Sequence, residues 1–264
     1  MQDKSYCACE IEKHLSRPRS GKITVLETVD STNTYLKSLC LDGLAETGDC
    51  VIADSQTGGR GRRGKSFMSR GEVGIYMSVL LSTGNAAPEQ ISEITAWGAV
   101  AVLRAINRIC HADCKIKWVN DLVCGNLKIC GILTEMTKKG PVIGIGINVN
   151  GDESDFPQEL QGIATTLKTV CKKSFDRCEL IAAVLEELDL LCEKFPSGRA
   201  EYLEAYRKSC AVIGKDIAIE RENETRHGRA VGIDEHFGLR VIFSDGTSET
   251  ITGGDVSVKG FYKK

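Results

Sequence analysis

Between Gln56 and Lys65 the chain reads Gln-Thr-Gly-Gly-Arg-Gly-Arg-Arg-Gly-Lys, with four glycines and four basic side chains. Glycine lets backbone N–H groups come close to an anion, and guanidinium groups add charge-assisted, bidentate donors. That is chemistry for gripping phosphate or carboxylate. An RG-rich nucleic-acid segment or a solvated basic loop has the same composition. Position favours the first reading. The segment lies between two apolar strands, and one basic loop on a chain of net charge -2 suits a small polyanion better than a duplex. The run Gly64-Lys65-Ser66 is not read as the end of a P-loop, whose spacing it is expected to miss.

Further on, Lys117-Trp118-Val119-Asn120-Asp121 is followed by Lys128-Ile129-Cys130-Gly131-Ile132-Leu133-Thr134-Glu135. Asn120 and Asp121 at a strand end can hold a metal-bound phosphate or a ribose, and Lys128 at the next strand's start can face developing negative charge. Asn, Asp and Gly are also ordinary turn formers, so a simple turn stays open. A third segment, Gly144-Ile145-Gly146-Ile147-Asn148-Val149-Asn150, sets glycines in an apolar strand. They mark close approach of another group, a ligand or a packed helix.

The elements that must position these segments follow from periodicity. Strands are expected at 23–26, 50–53, 74–81, 115–118, 129–136 and 142–149. Asp30-Ser31-Thr32-Asn33 can cap a helix whose apolar face is Tyr35, Leu36 and Leu39. Residues 88–110 read as one long helix, with further helices at 160–167, 178–195 and 200–209. From Val212 the texture changes to short strands at 216–220, 229–234, 238–243, 248–252 and 256–259, a small β-barrel or sandwich. The expected division is a 1–21 extension, a 22–209 main domain and a 210–264 β-domain.

Apolar residues make up 42% of the 264 and charged residues 27%, which is ordinary for a soluble globular protein. Net charge gives no field to recruit DNA or a membrane. No stretch reaches the roughly 18 apolar residues of a span, and no apolar signal segment leads, so a cytoplasmic protein is expected. The twelve cysteines lie mostly in apolar runs (Cys110, Cys114, Cys130 and Cys192 among them) and are expected to be reduced. Cys7-Ala8-Cys9 is tighter than the usual zinc or redox spacings, and the four histidines are scattered.

Ser31-Thr32-Asn33, Gln56 with its GRGRRG loop, KW-x-NDL from Lys117, K-x-x-GIL-x-E from Lys128, GIG-x-NV from Gly144 and Gly253-Gly254-Asp255 together resemble the biotin protein ligase family over about residues 22–264. The resemblance implies an α+β fold, a mixed β-sheet flanked by helices as in class II synthetases, with a small C-terminal SH3-like β-barrel. It implies that biotin and ATP, with Mg²⁺, form biotinyl-5′-AMP and pyrophosphate. The acyl group then passes to a lysine of a biotin carboxyl carrier domain, in acetyl-CoA carboxylase or a related biotin-dependent carboxylase. Carried over residue by residue, it implies Lys128 and Arg62 as catalytic. Ser31, Thr32, Gln56, Gly59, Arg60 and Gly131 fall at biotin positions. Arg62, Arg63, Phe67, Asn120, Asn148 and Lys259 fall at nucleotide positions, and Asp121 on the metal side.

Three residues depart from the family pattern. Phe67 stands where tryptophan is usual, so a ring remains without its N–H. Val119 replaces proline, which loosens the turn before Asn120. Lys259 replaces arginine, without the planar fork. A winged helix does not fit in the roughly twenty residues before the Ile23 strand. The resemblance is therefore to the monofunctional class, a monomer or homodimer with no specific DNA. The runner-up is a lipoate or octanoate ligase, on a shared fold and equivalent lysine. A nucleic-acid-binding protein and a non-catalytic biotin sensor are the other readings.

Overall fold

The structure, a computed structural model, describes residues 6–221, 224–258 and 261. Its main sheet consists of β1 (Ile23–Val29), β2 (Cys50–Gln56), β3 (Gly74–Leu80), β4 (Cys114–Lys117), β5 (Asp121–Cys124), β6 (Leu127–Thr137) and β7 (Gly140–Asn148). The order is β1-β2-β3-β7-β6-β5-β4, with β1 and β2 parallel and the other neighbours antiparallel. The helices are α1 (Ala8–Lys13), α2 (Thr32–Leu41), α3 (Pro88–Ile91), α4 (Ile94–Cys110), α5 (Leu167–Cys171), α6 (Arg177–Lys194) and α7 (Arg199–Ser209).

Side chains alternate across the sheet, so β1, β2, β3 and β7 each feed two cores. Cys50, Ile52, Ile75, Met77 and Val79 join the large core under α4, α6 and α7. Val51, Leu80 and Val142 join the small core, which α2 covers with Leu36 and Cys40. Beyond α7 a five-stranded antiparallel sheet follows: β8 (Asp216–Arg221), β9 (Glu224–Ile233), β10 (Leu239–Phe243), β11 (Ser248–Ile251) and β12 (Asp255–Val258). Its order is β11-β10-β9-β8-β12. This is the α+β class the sequence implies. No helix among the described residues is long and apolar enough to cross a membrane.

Four expectations are corrected. The 88–110 helix is two, because Glu93 N–H bonds back to Gln90 O (3.0 Å) and its carboxylate turns inward to Arg199 and His236. Residues 160–167 are not a helix. Their backbone is drawn alongside Lys128, whose N–H donates to Ile163 O (2.8 Å) while Thr165 N–H donates to Lys128 O (2.9 Å). Asp121 does more than end a strand: it begins β5, which pairs with both β4 and β6. Finally, Cys114 and Cys124 are not reduced thiols. The hairpin register sets them opposite each other with Cα atoms 4.5 Å apart, and the structure bonds them.

Candidate active site

Gly131 on β6 and Gly146 on β7 are register partners, and Gly144 lies opposite Leu133. These glycines leave a bare strip of sheet on the α2 side, and neighbours press close to it. A Cβ at Gly144 would stand 2.3 Å from Asn33 Oδ1, and one at Gly146 2.5 Å from Phe67 Cε1. Over the strip lies a small cavity, whose walls include Ser31, Thr32, Gln56, Arg60, Phe67 and Lys128.

Its polar wall is set by the start of α2. Ser31 is the N-cap, so Thr32 and Asn33 open the helix against the sheet. Gln56 Oε1 accepts from the Thr32 N–H (2.9 Å) and hydroxyl (3.2 Å). Gln56 Nε2 donates to Ser69 Oγ (2.7 Å), which donates in turn to Phe67 O (3.1 Å). Asn33 Nδ2 donates to Leu133 O (3.2 Å) and Glu135 Oε2 (3.0 Å), and Ser78 Oγ donates to Asn33 Oδ1 (2.6 Å). Glu135 also pairs with Lys37 and lies 3.9 Å from Arg60 Nη1. Burial works against its carboxylate, but Lys37, Asn33 and Arg60 outweigh that and hold its pKa below the ordinary value.

The basic loop closes one side as a narrow hairpin. Arg60 bridges to Ser66, Gly61 N–H donates to Lys65 O (2.6 Å), and Phe67 N–H donates to Gly59 O (2.9 Å). Gly59, Gly64, Lys65 and Ser66 do fall at P-loop spacing, which corrects the sequence expectation. The fold excludes a P-loop instead, because no helix follows Ser66 to offer its N-terminus. Arg62 Nη1 donates to Asn120 Oδ1 (3.0 Å) and Nη2 to Gly254 O (3.3 Å). Asn120 Nδ2 donates to Ile132 O (2.7 Å). The turn before Asn120 is not loose despite Val119: Tyr206 Oη donates to Val119 O (3.2 Å) and Trp118 Nε1 to Phe237 O (2.8 Å).

Lys128 Nζ lies 2.7 Å from Asp121 Oδ1 and 5.8 Å from the centre of the Phe67 ring. Its backbone is paired with Val123 on one side and with residues 163–165 on the other. A flexible cation thus extends from a fixed strand. A second, open cavity lies beyond, with Lys65, Lys117, Trp118, Asp121 and Gly254 in its walls. Arg62, Asn120 and Lys128 line both cavities, so they form the neck between them. Cys130, beside Lys128 in sequence, is wholly buried, and burial pushes its thiol far above the usual range. It is an inert neighbour.

The structure brings together most of the residues the sequence singled out. Ser31, Thr32, Gln56, Arg60, Arg62, Phe67, Asn120, Lys128 and Gly131 line the first cavity, and Asp121 lines the second. Phe67, placed with the nucleotide by resemblance, lies against the first cavity. Gly59 lies behind the wall, where a Cβ would meet Phe67 O at 2.3 Å. Arg63, at the loop tip, and Asn148, buried opposite Gly74, belong to neither lining. Lys259 lies outside the described residues. Sequence reasoning missed the part played by Asn33, whose signal was its place beside the cap, and by Ser69 and Ser78, which carry none. For a metal, Asn120 Oδ1 in the neck and Asp121 Oδ1 beside it are hard oxygens of the kind magnesium takes; in this structure the first accepts from Arg62 and the second is paired with Lys128. Among the described residues the one close group of three His, Cys, Asp or Glu is Cys7, Cys9 and Glu10, on and beside α1.

The sequence model of the biotin/lipoate A/B protein ligase family matches residues 25–152, and that of the biotin protein ligase C-terminal domain matches residues 212–259. The chain is 32% identical over 254 residues to the bifunctional ligase/repressor BirA of Escherichia coli, covering 92% of this chain and 76% of that one. It is 33% identical over 226 residues to the biotin--[acetyl-CoA-carboxylase] ligase of Paracoccus denitrificans, covering 80% and 90%. Among solved structures, the biotin protein ligase from Aquifex aeolicus in complex with biotin and ATP superposes with a TM-score of 0.78 at 28% identity, over 91% of this chain and 99% of that one.

Proposed function

The chain belongs to the biotin protein ligase family, and from that premise we propose that it activates biotin with ATP and passes the acyl group to a lysine of a carrier protein. The observation that carries the reading is the meeting of two cavities at Arg62, Asn120 and Lys128. A reaction that condenses two anions needs donors placed where both can reach them.

The first cavity suits biotin. Its fused ring needs an apolar bed and hydrogen-bond partners for the ureido group, which the glycine strip, Phe67 and the Thr32–Gln56 pair supply. A fatty acid would make no use of those polar groups, which disfavours a lipoyl or octanoyl substrate. The second cavity takes the nucleotide, and Lys65, Lys117 and Arg62 in its walls put positive charge beside its phosphates.

In the first step the biotin carboxylate oxygen attacks the α-phosphorus and pyrophosphate leaves. Lys128 holds both anions and follows the charge that grows on the non-bridging oxygens, while Arg62 shares that charge from the loop. In the second step the carrier lysine amine attacks the acyl carbon and AMP leaves. Mg²⁺ arriving with the ATP phosphates would supply charge neutralisation, and Asn120 is the neck oxygen that could hold it. The carrier is proposed to be that of acetyl-CoA carboxylase, from the name of the Paracoccus relative. Biotin-dependent exchange of radiolabelled pyrophosphate into ATP, followed by transfer to an apo carrier domain, is the test. Folded protein that neither exchanges nor forms the adenylate would overturn the reading.

A further inference from the structure

A turn of the C-terminal unit, residues 234–238 between β9 and β10, reaches into the catalytic unit. Asp234 ties the turn together: its Oδ1 accepts from His236 N–H (2.9 Å) and Gly238 N–H (2.7 Å). Phe237 is thereby held in the left-handed region, with φ 62°, which costs energy for a bulky side chain and persists only when its surroundings fix it. Those surroundings belong to the other unit. The ring is 3% exposed and meets Tyr206 edge to face at 5.4 Å. The carbonyl accepts from the Trp118 indole N–H. On the flanks, His236 Nδ1 lies 2.9 Å from the buried Glu93 carboxylate, and Arg207 Nε donates to Ile233 O (2.9 Å).

Both contacts of Phe237 lead to one place. Trp118 lines the second cavity, and Tyr206 holds the carbonyl of Val119. These two residues immediately precede Asn120, which meets Arg62 and Ile132. We propose that Phe237 is a positioning residue for the nucleotide cavity, setting from the C-terminal unit the turn that presents Asn120 to Arg62. The proposal rests on reading the second cavity as the ATP site. Phe237 does not touch the first cavity, whose glycine floor lies on β6 and β7 and whose polar wall is Ser31, Thr32, Asn33 and Gln56; the two cavities share the neck at Arg62, Asn120 and Lys128. Its effect should therefore fall mainly on the nucleotide, whose cavity Trp118 also lines, and much less on biotin, whose polar wall lies away from the neck.

The test compares Phe237→Ala, which removes the ring, with Phe237→Leu, which keeps apolar bulk, both in the full chain. In pyrophosphate exchange, Phe237→Ala should raise the KM for ATP about tenfold, the scale of one misdirected hydrogen bond, with the Kd for biotin within about twofold. Phe237→Leu should recover most of the loss. Equal weakening for both substrates would mark a general loss of fold and overturn the proposal, as would an unchanged KM for ATP. A readout independent of catalysis is the indole N–H resonance of Trp118. It should move in Phe237→Ala while that of Trp97, in the large core, stays. An unmoved Trp118 signal overturns the proposal. A moved signal in a protein whose parent shows no exchange supports the positioning role and counts against the ATP reading alone.

Discussion

Lys128→Ala strikes the neck between the cavities. As the α-phosphorus becomes five-coordinate, loss of one donor to its oxygens costs about 10²–10³ in rate, about 2.7–4 kcal/mol. The structure adds a second cost. Asp121 Oδ1 lies 2.7 Å from the Lys128 Nζ, and its side chain is only 16% exposed. Without the lysine that carboxylate faces the incoming phosphate. At an effective dielectric of about 20 and a separation of about 6 Å the repulsion is about 3 kcal/mol before screening. Lys128→Ala should therefore fall at the severe end, about 10³-fold slower, and adding Asp121→Asn should recover about tenfold. Folding should survive, because a pair of this partial exposure contributes at most about 1 kcal/mol. Lys128→Arg should not rescue fully, since a planar fork displaces the phosphate that a compact ammonium accommodates. The assay is single-turnover formation of biotinyl-5′-AMP at saturating biotin and ATP. A Lys128→Ala rate within about threefold of the parent removes Lys128 from the mechanism. No recovery in the double variant removes the repulsion argument.

Three other perturbations reach different parts of the site. Arg62→Gly loses the bonds to Asn120 and Gly254 and should release the adenylate faster while the melting temperature barely moves. Labelling of bystander lysines no greater than with the parent would contradict this. Gly144→Ala drives a Cβ toward Asn33 Oδ1, whose amide is tied to Leu133 and Glu135, so about 1–3 kcal/mol of stability and most biotin affinity should be lost. A calorimetric biotin affinity equal to the parent's would remove the glycine strip from the binding floor. Glu135 has a depressed pKa when folded, so its pairs contribute stability above the ordinary carboxylate pKa, and that contribution fades as pH falls through the folded value. The urea-midpoint difference between parent and Glu135→Gln should thus be flat from neutral pH to about pH 5 and shrink below it. A difference that persists unchanged into the acid range would show that Glu135 acts through shape alone.

What was legible in the sequence depended on how local its cause is. Apolar period and caps are local, so α2 behind Ser31 and most strands of both sheets could be read directly. The break at Glu93 could not, because its cause is a carboxylate drawn to Arg199 and His236, more than a hundred residues away in sequence. Residues 160–167 carry a helical pattern, yet their backbone bonds to Lys128 decide the matter. Strand β5 was hidden by Asn120 and Asp121, which read as turn formers until β6 supplied a partner. The site was read through its charged and glycine residues. Ser69 and Ser78 escaped because nothing in a serine's neighbours along the chain says which hydroxyl or amide it will meet across the sheet.

The bare strip at Gly131, Gly144 and Gly146 bears on drug resistance. A binding surface made of side chains can be altered by exchanging them, often with little harm to the natural ligand. On the proposed reading the floor under biotin is made by side chains that are missing, and any replacement there only subtracts space. A competitor resting on these carbons would meet, on the floor, no residue that could change against it alone, whereas the walls at Thr32, Gln56 and Phe67 could change. Escape by narrowing the floor would exclude the substrate together with the inhibitor, and it would press Asn33 or Phe67 out of place as well. Molecules that extend past the strip, onto the loop arginines or the open second cavity, would give up that protection with every contact they add.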